Sequence, residues 1–502
     1  MTLIFAAMKR LLLVIFCLYA SSVWAQMLPS KRLEILRDDK ITDDFEVLPL
    51  GSQGVLVTKI LDNPSRGINH TYQFSRYDST LALRWESEFK LKPPYKALLS
   101  YHTPEHLFWL CGDPDSDKIQ IWKTSLDTGE MEVIEGEVPA IDIVSKFKIL
   151  GNKAFLGGTY NDRPVVVSFS FFDKTSQALP ELFDFHLTIN DLDVDEKGNK
   201  IHVFSKYNRR GKCLLQMYTY AYDGHLLSKT TLNDESDRSL ITAKIVHLEN
   251  GESLLVGNYS LNCSDYSQGL YLTKVTDQPQ NKIQYVPFSD LQNFFNYLKP
   301  SRQERMRNKI AAQKKLGKDL KFHYLLHIQD LISTEEGYLM VAEAYFPQTK
   351  TSSSFTPTAV TNRRLQNSYE SFRYTHALVC GLNRSGELVW DNSMELKDLT
   401  SDLLSPQVQL STLSSNTLCL SYTYESKVRA LQIQKDKTLG KIEEYELLPA
   451  ELNKSIDRDP YPSLISWYGP YYLSWGFRKY PPTANQSPKE AFFLYKLEHP
   501  VH

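Results

Sequence analysis

Hydrophobic and polar residues alternate along this chain in short runs. Val165 to Phe171, Leu214 to Tyr220, Leu270 to Val275, Ala377 to Leu382 and Ala430 to Gln434 all follow that period of two, which predicts half-buried β-strands. Ahead of these runs stands a second kind of apolar stretch with a recurring end. It reads Leu156-Gly-Gly-Thr-Tyr160, Val203-Phe-Ser-Lys-Tyr207, Leu255-Val-Gly-Asn-Tyr259, Val341-Ala-Glu-Ala-Tyr345, Leu420-Ser-Tyr-Thr-Tyr424 and Leu473-Ser-Trp-Gly-Phe477. Before each lies a tight-turn signal: Gly151-Asn152, Gly198-Asn199, Asn250-Gly251, Glu336-Gly337, Ser415-Asn416 or Gly469-Pro470. Each such turn joins two antiparallel strands. The alternating runs close on Asp78, Asp127, Asp173, Asp223, Asp277, Asn383 and Asp436, whose side chains cap turns. A short outer strand should follow, as in Leu81 to Trp85 or Gly386 to Trp390.

Four strands recurring every ~45 residues make a propeller blade. The register gives an all-β chain, an eight-bladed β-propeller over residues 26–502, with blades beginning near Phe45, Lys96, Ile141, Leu187, Leu240, His323, Gln407 and Ser463. Seven blades is the alternative, because the second blade is the least regular and lacks the terminal Tyr. The last blade stops after its third strand, Phe492 to Leu497, while an orphan strand, Arg32 to Leu36, precedes the first. Pairing the two would close the ring and remove exposed sheet edges.

The succession of apolar strand, Asn turn, Gly and distal Trp in Ala377 to Trp390 resembles the blades of quinoprotein-like and other bacterial β-propellers. The resemblance implies a fold only. The cofactor-binding residues of quinone-dependent dehydrogenases are not seen, so no cofactor is expected. Ser125-Leu-Asp127-Thr-Gly129 looks like half of a sialidase Asp box, but Glu132 stands where the closing aromatic belongs, and it reads as a turn.

The first residues read as an export signal, residues 1–25. Lys9 and Arg10 supply the positive region, Leu11 to Ala20 the apolar core, and Val23-Trp24-Ala25 the cleavage site, with Met8 as an alternative start. The expected destination is secreted or periplasmic. No other segment is long and apolar enough to span a bilayer. After cleavage Cys111, Cys213, Cys263, Cys380 and Cys419 remain, most of them on apolar strands, which predicts buried thiols rather than a disulfide framework. A formal net charge of −2 gives no reason to expect nucleic acid.

Two insertions interrupt the repeat. Residues 287–322 predict a helical insertion: Ser289 as a cap for a turn bearing Leu291, Phe294, Phe295 and Leu298, then Pro300 as a stop, then a helix from Ser301 to Leu316 ending at Gly317. Arg302, Arg305, Arg307, Lys309, Lys314 and Lys315 crowd that helix. Residues 347–373 predict a long, mobile loop carrying Arg363, Arg364 and Arg373. Strand order places both insertions on one face, where they could cover the channel mouth. One reading is a solvated helix on the rim; the other is a docking surface for an anionic partner. Tyr160, Tyr207, Tyr259, Tyr345, Tyr424 and Phe477 should share that face, either stacking on a ligand or packing between blades.

Asp113, Asp115 and Asp117 are a weak calcium candidate lacking the glycine and terminal Glu of a full loop. Asp191, Asp193 and Asp195 read as strand and turn residues. His102, His106, His323, His327 and His376 form no metal or catalytic motif, and no phosphate loop, Gly-x-Ser-x-Gly or His-Glu-x-x-His occurs. The expectation is an interaction scaffold for a glycan, envelope polymer or protein partner. The alternative is a propeller enzyme, a glycoside hydrolase or polysaccharide lyase acting on acidic glycans, whose site would be assembled from separate blades.

Overall fold

A computed structural model describes residues 29–37, 42–62, 70–139, 141–209, 212–232, 237–248, 252–275, 282–348, 371–425, 427–447, 457–458, 463–480 and 489–499. The expected signal, residues 1–25, lies outside the described residues. So do positions 349–370, with Arg363 and Arg364 among them.

Eight antiparallel sheets follow one another around a ring. Their first strands are Thr42–Pro49, Lys96–His102, Ile143–Leu150, Leu187–Asp195, the pair Arg238–Leu240 and Lys244–His247, Leu325–Ile328, Gln409–Ser414 and Ser463–Tyr468. Eight is therefore the blade count. The second blade is complete, with strands Lys96–His102, His106–Gly112, Lys118–Ser125 and Met131–Glu137. Its second strand ends at Gly112 in place of the recurring Tyr.

Closure occurs through Pro29–Leu36, which pairs with Lys489–Glu498 from Pro29 opposite Leu497 to Leu36 opposite Ala491. Glu34 on this strand accepts a hydrogen bond from the buried Arg478 guanidinium at 3.1 Å, which also donates to Tyr495 Oη at 2.8 Å. The closing strand thus supplies both sheet pairing and a counter-ion.

The hydrophobic core is divided rather than continuous. Eight clusters form, one at each junction between neighbouring blades, as expected where every blade buries its two faces against its neighbours. A polar tie adds to this at the sixth junction. The fully buried Glu343 carboxylate accepts from the backbone N–H groups of Gln407 and Val408 in the next blade, and from Gln329 Nε2 at 2.7 Å.

Turn chemistry follows the side chains anticipated. Asp78 Oδ1 accepts from the Thr80 and Ala82 amides, Asp173 Oδ1 from Thr175, Asp223 Oδ1 from His225 and Asn383 Oδ1 from Glu387. Gly151 and Gly469 take positive φ at their hairpins, a conformation that costs glycine no strain.

The cysteines depart in part from expectation. Cys111, Cys380 and Cys419 are buried thiols, and burial pushes the thiols of Cys111 and Cys419 up to about 12. Cys213 and Cys263 instead form a disulfide, with Cα atoms 5.3 Å apart. Cys213 opens the third strand of blade 4, and Cys263 follows the second strand of blade 5. A sequence separation of 50 is close to one blade, so the repeat itself brings the two side by side.

Candidate functional site

Connections between second and third strands, and those leading from one blade to the next, leave the ring on one side, here called the connector face. The tight hairpins between first and second strands leave on the other, the hairpin face. The recurring aromatics end second strands at the connector face, as their positions in the strands require.

There the rings pack on neighbours. Tyr160 lies against Phe183, Tyr207 against His186, Tyr259 against Tyr285, and Tyr345 against Phe372 and Tyr374. Tyr424 is covered by the Arg429 guanidinium 4.1 Å from its ring centre, and Phe477 meets Phe45 and Phe492. These contacts lie within a blade or across to its neighbour, as between Phe477 of blade 8 and Phe45 of blade 1.

The helical insertion follows the fourth strand of blade 5, Gln284–Pro287. Two 3-10 turns, Phe288–Asp290 and Phe294–Tyr297, replace the expected first helix, and Ser289 provides no cap. The reason lies in blade 6. Asp391 in its outer strand, Leu388–Glu395, accepts the backbone N–H groups of Gln292 at 2.9 Å and Asn293 at 2.7 Å, drawing these amides away from a helical pattern. Phe288, Leu291, Phe294 and Phe295 are buried between blades 5 and 6. The buried His376 ring stacks on Tyr297 at 3.7 Å, and burial pushes its imidazole down to about 3, so it is a neutral packing group at ordinary pH.

These contacts seat the insertion on the outer rim rather than over the channel mouth. Burying four apolar side chains at the junction of two blades outweighs any position over open solvent.

From this seat one α-helix projects, Pro300–Lys315, with Pro at its first turn and Gly317 at φ +66° beyond its end. Ile310 alone of its residues is buried. Arg302, Arg305, Arg307 and Lys309 are exposed, and none has an ion-pair partner among the described residues; Lys314 is held by Asp290 at 2.6 Å.

Where the helix returns to the ring it walls a cleft of ≈ 540 Å³ that includes Tyr259, Arg238, Gln313, Lys318 and Lys321. Three cations face it against one carboxylate, Asp319. The floor is rigid: Gln268 Nε2 donates to the Phe322 carbonyl and its Oε1 accepts the Phe322 N–H, both at 2.8 Å. Arg238 lies flat on Tyr285, 4.4 Å from its centre. Burial pushes the Tyr259 phenol up to about 12, so it enters the cleft neutral. Such a site is suited to carboxylate or sulfate groups.

Of the calcium candidates, Asp113 is used as a turn cap, its Oδ1 accepting the Asp115 N–H and its Oδ2 the Ser116 hydroxyl. The side chains best placed to hold a metal lie on the hairpin face, where Asp195, His202 and His247 converge. The signal for them was the spacing of His202 and His247, close to one blade.

The chain is a β-propeller protein, and its own eight sheets establish that class. No protein-family model matches it, and comparison with curated proteins finds no relative. Among solved structures it is similar to the Dos1 propeller, at 8% identity over 91% of this chain and 95% of that one, with a TM-score of 0.38. It is also similar to the polysaccharide lyase Uly1, at 9% identity over 82% and 91% of the chains and a TM-score of 0.39. TolB from Acinetobacter baumannii gives 7% identity, 81% of each chain and 0.30. At these values the likeness carries no functional reading. Among the described residues no helix is long and apolar enough to cross a membrane.

Proposed function

We propose that this protein is a secreted or periplasmic binding scaffold whose connector face captures an anionic partner at blade 5 and the inserted helix. The carrying observation is the set of exposed cations Arg302, Arg305, Arg307 and Lys309 on the inserted helix, without ion-pair partners among the described residues, beside a cleft lined by Arg238, Lys318 and Lys321. The fold does not need these charges, since the insertion is held by Phe288, Phe294, Phe295 and the Asp391 contacts. Such a concentration of like charges raises the local concentration of a polyanion and steers its approach. Three cations against one carboxylate in the cleft favour an acidic glycan or envelope polymer.

The test is reversal of Arg302, Arg305, Arg307 and Lys309 to Glu, with binding to an immobilised uronate polymer measured across a salt series. Capture should fall at least tenfold at low salt while the melting temperature is unchanged, and the difference should shrink as the Debye length shortens. Equal capture by the reversed and native proteins refutes the reading.

A further inference from the structure

We propose that Asp195, His202 and His247 form a binding site for one divalent transition-metal ion of the zinc type, bridging blades 4 and 5 on the hairpin face. Asp195 ends the first strand of blade 4, His202 lies near the start of its second strand, and His247 ends the first strand of blade 5. Their ligand atoms all lie within 4.8 Å of one another. Around a tetrahedral zinc ion such atoms stand about 3.3 Å apart, so the cluster closes by small side-chain rotations.

Three features mark a built site rather than a chance gathering. His202 is 5% exposed, and its Nε2 has no hydrogen-bond partner. A buried ring nitrogen left without a partner is costly, and an ion supplies one. Secondly, the other nitrogen of each ring is engaged in the way metal-bound histidines require. His202 Nδ1 is 3.1 Å from Thr219 Oγ1, and His247 Nε2 is 2.8 Å from Asp193 Oδ2, so each imidazole can donate its N–H outward and turn a lone pair toward the centre.

Thirdly, the carboxylate is oriented. The Gly198 N–H donates to Asp195 Oδ1 at 2.8 Å, which leaves Oδ2 aimed at His247 Nδ1 from 3.9 Å. Ser253 Oγ, 3.1 Å from that same Nδ1, is the partner an ion would displace. Two imidazoles and one carboxylate suit zinc and its neighbours better than calcium or magnesium, which prefer oxygen alone. Three protein ligands leave a fourth position for water.

The ion would join the same two blades that the Cys213–Cys263 disulfide joins on the connector face. That junction would then be clamped on both faces.

The experiment uses the full chain without a histidine tag, stripped with chelator and titrated with Zn²⁺ by calorimetry and with Co²⁺ by visible absorption. One equivalent should bind, cobalt should show the intense bands of a tetrahedral site, and the melting temperature should rise with added metal. His202→Gln and His247→Gln should abolish the tight equivalent. Asp193→Asn and Thr219→Val, which touch no ion, should weaken it by about 10- to 100-fold. Absence of a saturable equivalent in the native protein overturns the proposal, as does binding that survives both histidine substitutions.

Discussion

Glu343→Gln isolates the pH dependence contributed by one buried carboxylate. Burial raises the Glu343 carboxyl from 4.5 to about 7, against the hydrogen bonds from Val408, Gln407 and Gln329 that favour its charged form. Among the described residues no cation pairs with it. The folded-state value exceeds the unfolded one, so between these two values the native protein holds more protons than the unfolded chain. Stability must therefore fall as pH rises through that window. Below 4.5 both states are protonated and Glu343 contributes no slope; above 7 the penalty is complete, about 3 kcal/mol for the shift given at roughly 1.4 kcal/mol per unit. Glutamine is neutral throughout. It keeps one oxygen for the Gln407 and Val408 amides but places an NH₂ where the second oxygen was, costing about 1–2 kcal/mol at low pH. Urea unfolding of native and variant proteins across that range should then show the variant's deficit shrinking, and reversing, by a total of about 3 kcal/mol as pH rises. A deficit that is constant, or that grows with pH, would refute the reasoning, because it would mean that the three donors hold the carboxylate ionised despite its burial.

Two further outcomes follow from the ring and its cross-link. Glu34→Ala leaves the Arg478 guanidinium buried without its counter-ion and should cost about 3–5 kcal/mol in chemical denaturation; a loss below 1 kcal/mol would show that Tyr495 suffices. Reduction of Cys213–Cys263, or Cys213→Ser, releases a loop closed over a separation of 50 residues, worth about 4 kcal/mol in the chain-entropy account. Thiol labelling of the unfolded chain should reveal Cys213 and Cys263 only after reductant, and labelling without it would count against the bond.

The repeat was legible because each blade must solve the same packing problem with the same pattern. The Tyr ends, the Asp turns and the unmatched Arg32 to Leu36 strand together determine the ring and its closure. What escaped was lateral: contacts between equivalent positions of adjacent blades. Cys213 and Cys263, like His202 and His247, are unremarkable along the chain and become neighbours only when the sequence is folded at the blade period. The first turns of the insertion escaped for a different reason. A helix over Leu291 to Leu298 satisfies local propensity, but Asp391, nearly a hundred residues further on, takes the Gln292 and Asn293 amides. No local pattern announces a distant acceptor.

The pairing of Pro29–Leu36 with Lys489–Glu498 also imposes an order of events on folding. Blades 1 to 7 are each made of consecutive chain, so they can assemble one after another as local hairpins that stack. Blade 8 cannot, because one of its strands lies at the opposite end of the chain. The final step joins segments at opposite ends of the chain, whose approach depends on the stacked blades between them. Until it is taken, the edges of Lys489–Glu498 and Pro29–Leu36 stay open to any extended segment nearby. The most aggregation-prone species of this protein is therefore an almost finished ring lacking its last seam.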